Sequence, residues 1–183
     1  MSVSPTQTTT TWNIDTAHST VEFSVKHMMI STVKGQFGAV EGTVELDPAN
    51  LASASVDARI DTSTITTHNE MRDNHLRTND FFNAEDFRYI TFKSTSIEPK
   101  GDDEFKIHGD LTIRDATKPV TLDAVLDGIM EKDAFGKRRA AFSASTSINR
   151  KDFDVTFNIP LDGGKLLIGD KVDITLAVEA VKA

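Results

Sequence analysis

From Trp12 onward, apolar and polar residues alternate with period two in one segment after another, and this pattern most limits what the chain can fold into. Successive side chains on a strand point to opposite faces, so such a segment buries one face and wets the other. Between Thr20 and Met28 one face carries Val21, Phe23, Val25 and His27, and the other Thr20, Glu22, Ser24 and Lys26. From Thr32 to Asp47 the apolar parity runs Val33, Gly35, Phe37, Ala39, then slips by one residue to Val40, Gly42, Val44 and Leu46. A slip inside a long strand predicts a β-bulge. Next come Ala54, Val56, Ala58 and Ile60, then Ile90, Phe92, Ser94 and Ser96. Phe105, Ile107, Gly109, Leu111 and Ile113 form another inward set, followed by Val120, Leu122, Ala124 and Leu126. Ala140, Phe142, Ala144 and Ile148, and finally Val172, Ile174, Leu176 and Val178, complete the series.

These are roughly eight one-faced strands with short turns between them, which predicts antiparallel pairing, because strands of a parallel sheet read as continuous apolar runs. A two-sheet sandwich and a closed barrel both satisfy the pattern. The bulged strand favours the barrel, whose closure needs curvature and removes exposed edges. The expected fold is all-β, an extended eight-stranded antiparallel barrel. The period loosens only over residues 66–87, where Met71, His75 and Leu76 have helical spacing. Thr67 and Glu70 read there as a capping box. Residues 1–11, rich in Ser and Thr, read as a disordered tail, and residues 12–183 as a single domain.

The formal net charge is −8, which repels phosphate backbones and argues against nucleic acid. The absence of cysteine excludes disulfides, thiolate nucleophiles and cysteine metal sites. Neither a secretory signal nor an apolar run long enough to span a bilayer is evident, so the expected location is the cytoplasm and the chain is not expected to cross a membrane.

Several inward positions are small: Gly35, Ala39, Ala54, Ala58, Ser94, Ser96, Gly109, Ala124, Ala144 and Thr146. An eight-stranded barrel either fills with side chains or holds one small ligand, so small residues on many strands predict an elongated apolar pocket containing a few hydroxyls. The alternative is that the eleven phenylalanines fill the gaps. His68 and His75 stand two helical turns apart, about 10–11 Å, too far to share a metal on a straight helix. His18 and Ser19 are adjacent and would face opposite sides of a strand, so they do not form a nucleophile pair. Gly163-Gly164-Lys165 lacks the setting of a phosphate loop and reads as a turn. No catalytic residues and no metal site are expected.

Several phrases resemble a known family when taken together: Asp15-Thr16-Ala17-His18-Ser19, Val33-Lys34-Gly35-Gln36-Phe37, Arg72-Asp73-Asn74-His75-Leu76, Ile90-Thr91-Phe92-Lys93-Ser94, Gly109-Asp110-Leu111-Thr112-Ile113 and Arg150-Lys151-Asp152-Phe153. In that order they resemble the YceI-like family of polyisoprenoid-binding proteins. The resemblance implies a lipocalin-like barrel with a helix beside it, holding an isoprenoid or other long-chain lipid as carrier, store or sequestering module, with a quinone or its precursor as one such lipid. It also admits a homodimer, and it implies no cofactor other than the bound lipid. The expected lining is Phe23, Val25, Phe37, Val56, Ala58, Ile60, Phe92, Leu111, Ile113, Phe142, Ala144, Ile174 and Leu176, with His27, Arg72, His75 and Arg150 as polar candidates at the mouth. Two departures stand out: Arg88 where relatives often have Pro, and Asp154 in place of a common Gly. The alternatives to a binding module are an enzyme using His27 as a base in the cavity, and a stress-related interaction protein with a filled barrel.

Overall fold

The alternating segments form ten strands, and the computed structural model describes residues 8–183 of the chain. The strands are β1 (Thr10–Ile14), β2 (Thr20–His27), β3 (Ser31–Phe37), β4 (Val40–Leu46), β5 (Ser55–Asp61), β6 (Tyr89–Pro99), β7 (Glu104–Ile113), β8 (Ala116–Met130), β9 (Arg139–Asn149) and β10 (Ile168–Lys182), with helix α1 at Glu70–Leu76. Thr10 and Thr11 therefore belong to the sheet and not to the expected tail, whose residues 1–7 lie outside the described residues.

All strand pairs are antiparallel, in the order β1-β4-β5-β6-β7-β8-β9-β10-β2-β3, with β1 also pairing to β10. β1 and β2 lie end to end along β10, with Trp12 opposite Lys182 and Val25 opposite Val172. Likewise β4 lies along β1 and β3 along β2. Ten segments with two such mergers give eight staves, and the ring closes as an antiparallel barrel. The predicted slip falls at Gly38-Ala39, which belong to neither strand, and Phe37, Val40, Val44 and Leu46 are all buried on either side of it. Gly42, farther along this bent stave, has φ +144°, and a Cβ there would meet the Asp57 carbonyl oxygen at 2.1 Å, so only glycine lets β4 and β5 approach.

One end of the barrel is plugged. The β2–β3 turn, the segment 62–88 and the connection 150–167 all lie there. The expected helix over 66–87 is one short helix followed by turns. Its N-cap is Asn69, whose Oδ1 accepts from the Arg72 N–H at 3.0 Å. The Thr67–Glu70 capping box does not form, because Thr67 gives both its N–H and its hydroxyl to Asp73 Oδ1. Burial raises the Asp73 pKa, but these hydrogen bonds outweigh it and hold the group below its ordinary value. Arg77 ties the segment down through the Ser63 and Ile65 carbonyls, and Arg114 through those of Asn79 and Phe81. Ile65, Phe81 and Phe153 thereby pack with Phe37, Ile90 and Ile113 into a dry cluster.

Candidate functional site

A cavity of ≈ 260 Å³ runs inside the barrel above that cluster. One water needs only about 10–15 Å³, yet the surface facing this cavity is wholly apolar among the described residues. Water inside would find no partner. The lining follows β9 from Phe142 to Ile148 and β10 from Val172 to Val178, each about 20 Å by the rise of a strand. The space is therefore long and narrow.

Every apolar residue of the expected lining lies on this wall, from Phe23 and Val25 through Val56, Ala58, Ile60 and Phe92 to Ile174 and Leu176. Val25, Val56, Ala58, Phe92, Phe142, Ala144 and Ile174 point inward yet are only half-buried, because the space before them is open. Not all the small residues contribute to that opening. A Cβ on Gly109 would stand 2.4 Å from Phe92 Cζ, and one on Gly35 equally close to Phe23 Cζ. These glycines seat aromatic rings, whereas Ala58 and Ala144 face the cavity. Ser96 departs from its predicted inward parity. The β6 register shifts between Ser94 and Ser96, so Ser96 is exposed and Ile97 takes the interior. The expected hydroxyls turn to the wall: Ser94 Oγ accepts from the Val56 N–H at 2.8 Å, and Thr146 Oγ1 donates to the Thr121 carbonyl at 2.8 Å.

The polar candidates separate. His27, at the end of β2, lies outside the lining, because β10 shifts register between Ile168 and Val172 and the wall ends at Val25 and Ile168. Arg72 is exposed and donates to Thr67 Oγ1 and the Thr67 carbonyl, bracing the start of α1. His75, also exposed, bonds Asp80 at 2.8 Å and meets the rings of Phe81 and Phe157 edge-on, each at 5.0 Å. None of these three faces the cavity. Arg150 does reach the wall, at its plugged end, but it is only 5 % exposed. Its guanidinium donates to the carbonyls of Gly169, Val155 and Phe157 at 2.8–2.9 Å. Burial lowers its pKa, with the charge of Asp170 opposing the shift. Arg150 therefore acts as a clamp on the 150–169 connection and not as an open mouth.

One cluster at the far end has no signature in the sequence: Asp15, His18 and Glu179 come within metal-ligand range of one another. Arg139 already occupies that position. Its guanidinium bonds Asp15 at 2.6 Å and Glu179 at 3.3 Å, supplying the positive charge a cation would bring. The Arg139 hydrogen bond, followed by that of His18, holds the Asp15 carboxyl down at about 2. This is a staple between β1, β9 and β10. Arg88 takes a comparable structural role, forming an ion pair with Asp61 at 3.0 Å, and Asp154 adopts φ +59°, which explains why a glycine suits its position.

A family model described as a YceI-like domain matches residues 12–180. A UPF0312 protein of Staphylococcus aureus is 35% identical over 170 residues, spanning 93% of this chain and 96% of that protein. Among solved structures, Burkholderia cenocepacia BcnA superposes with a TM-score of 0.77 at 25% identity, over 91% of this chain and 98% of that one. A polyisoprenoid-binding domain from Saccharophagus degradans, implicated in plant cell wall breakdown, shares the fold at 12% identity with a TM-score of 0.69, over 94% of this chain and 98% of that one. No helix among the described residues is long and apolar enough to cross a membrane.

Proposed function

The chain belongs to the YceI-like family, and on that premise we propose that its barrel binds the chain of a long amphiphilic lipid, of isoprenoid or isoprenoid-quinone type, and serves as its carrier or store. The observation that carries this reading is the long cavity with a wholly apolar surface, bordered by residues from around the barrel. A space of this shape and chemistry suits an unbranched or repeatedly methylated hydrocarbon. Each buried methylene contributes about 0.8 kcal/mol, so a long chain binds without any charged partner. The Saccharophagus degradans domain lends the ligand class its name, while its 12% identity carries only the fold. No observation favours an enzyme, since the proposed base His27 lies outside the lining. The stress-related reading required a filled barrel, and the interior holds open space.

Native mass spectrometry on protein purified from its own host, followed by organic extraction, tests the proposal. A stoichiometric prenyl lipid is expected. Protein at the bare chain mass that also fails to take up added prenyl lipids would overturn it.

A further inference from the structure

The β2–β3 turn breaks a rule that tight turns usually follow. Met28 and Met29 have φ of +50° and +61°, and the Ile30 N–H closes the turn on the His27 carbonyl at 3.2 Å. Two consecutive positive φ values are the requirement of a type I′ turn, which favours Asn-Gly and disfavours bulky side chains. Methionine, with its Cβ, is strained in this left-handed conformation. The strain gains no burial in return, since Met28 is 37 %, Met29 53 % and Ile30 74 % exposed.

The turn does not stand alone. The Met28 N–H donates to the Leu167 carbonyl, and the Leu167 N–H donates to that of Ile159, which is itself 46 % exposed. Backbone hydrogen bonds through Leu167 thus link two segments that both carry exposed apolar residues, which we treat as one patch. Its surroundings differ in charge from the rest of this acidic protein. No Asp or Glu occurs between Glu22 and Glu41, while Lys26 and Lys34 stand exposed on the hairpin and Lys165 on the neighbouring loop. Of the acids at this end, Asp170 is paired with Lys151 at 3.1 Å and Asp173, which feels the charge of Lys26, with Lys171 at 3.3 Å, while Asp152, Asp154 and Asp162 lie along the connection. The patch also adjoins the cavity, because His27 pairs with Ile168 and Ile168 lines the wall.

We propose that the Met28–Ile30 tip and Ile159 form a docking surface for a lipid bilayer with anionic headgroups, which seats the plugged end of the barrel on the membrane that holds its lipid. The proposal rests on the lipid-binding reading, since a long-chain lipid is found in membranes and not free in water. Exposed apolar side chains enter the interface, and lysines meet the headgroups around them.

The test compares the wild type with the double variant Met28→Asn/Met29→Gly, which installs the residues the turn prefers and removes the apolar tip. Neither methionine lines the cavity. Flotation is run with vesicles of phosphatidylcholine alone and of phosphatidylcholine mixed with phosphatidylglycerol. Wild type is expected to float with the mixed vesicles, and the variant to partition at least about tenfold less, the loss set by one buried apolar side chain. The variant should also melt at a higher temperature and bind a water-soluble short prenol as tightly as wild type. Wild type that binds the prenol but does not float would overturn the docking surface and leave the lipid site standing. Flotation without prenol binding would do the reverse, keeping the surface and removing the site. A wild-type dimer that the variant converts to monomer, with flotation absent in both, would assign the patch to a second copy of the chain and overturn the proposal.

Discussion

The plugged end and the waist of this barrel are built from the same residue types and behave differently. At the plugged end, inward side chains from the staves meet others from segment 62–88 and the 150–167 connection, so Ile65 is 0 %, Phe153 1 % and Phe37 4 % exposed. At the waist the staves face only one another, and Phe92, Phe142 and Ile174 remain half-buried. Burial in a barrel thus depends on whether something occupies the axis, and not on whether a residue points inward.

Truncation should separate the two regions most sharply. Phe153→Ala removes a fully packed ring and should cost about 3–5 kcal/mol in urea unfolding of lipid-free protein. Phe142→Ala borders existing open space and should cost less than half as much. Equal losses would mean that the waist is as well packed as the plug. Enlargement gives the next effect. Gly109→Ala forces a methyl against the Phe92 ring and the Lys93 carbonyl and should destabilise by about 1–3 kcal/mol. Ala144→Phe, which projects into the cavity, should change stability by less than about 1 kcal/mol while reducing co-purified lipid. Retention of lipid by that variant would count against the cavity as the binding site.

The smallest expected effect concerns the far end. The Asp15 carboxyl is held at about 2, below its ordinary 3.8, so the staple it makes with Arg139 is intact above pH 4. Its contribution is lost as pH falls through the folded-state value. In Asp15→Asn the decline of stability between about pH 4 and pH 2 should be shallower, by roughly 1 kcal/mol once solvent screening is allowed for. An unchanged profile would show that the staple contributes nothing.

The waist was almost wholly legible in the sequence because alternation reports directional facing, and facing was all that the lining required. Failures came where another force overrides the period. Ser96 was lost to a bulge, which leaves no mark in a run of serine and threonine. His27 followed the inward parity but sits past the end of the wall. Thr67 and Glu70 match a capping box in sequence, yet a buried aspartate six residues on from Thr67 took the threonine. Arg150 belonged to a recognisable phrase, but its burial among backbone carbonyls depends on a long connection with no periodic signal. The methionine turn was equally hidden, since the residues at 28 and 29 argue against the conformation they adopt.

The seam that closes the ring joins Trp12 to Lys182, the first described strand to the last. Closure of the wall therefore needs the N-terminal strand to pair with the C-terminal one, and until β10 is made the ring of staves is incomplete. The container comes into being only when β10 arrives, in a step dominated by contacts distant in sequence and therefore slow. During that interval the future lining is accessible from the side and not only from an end.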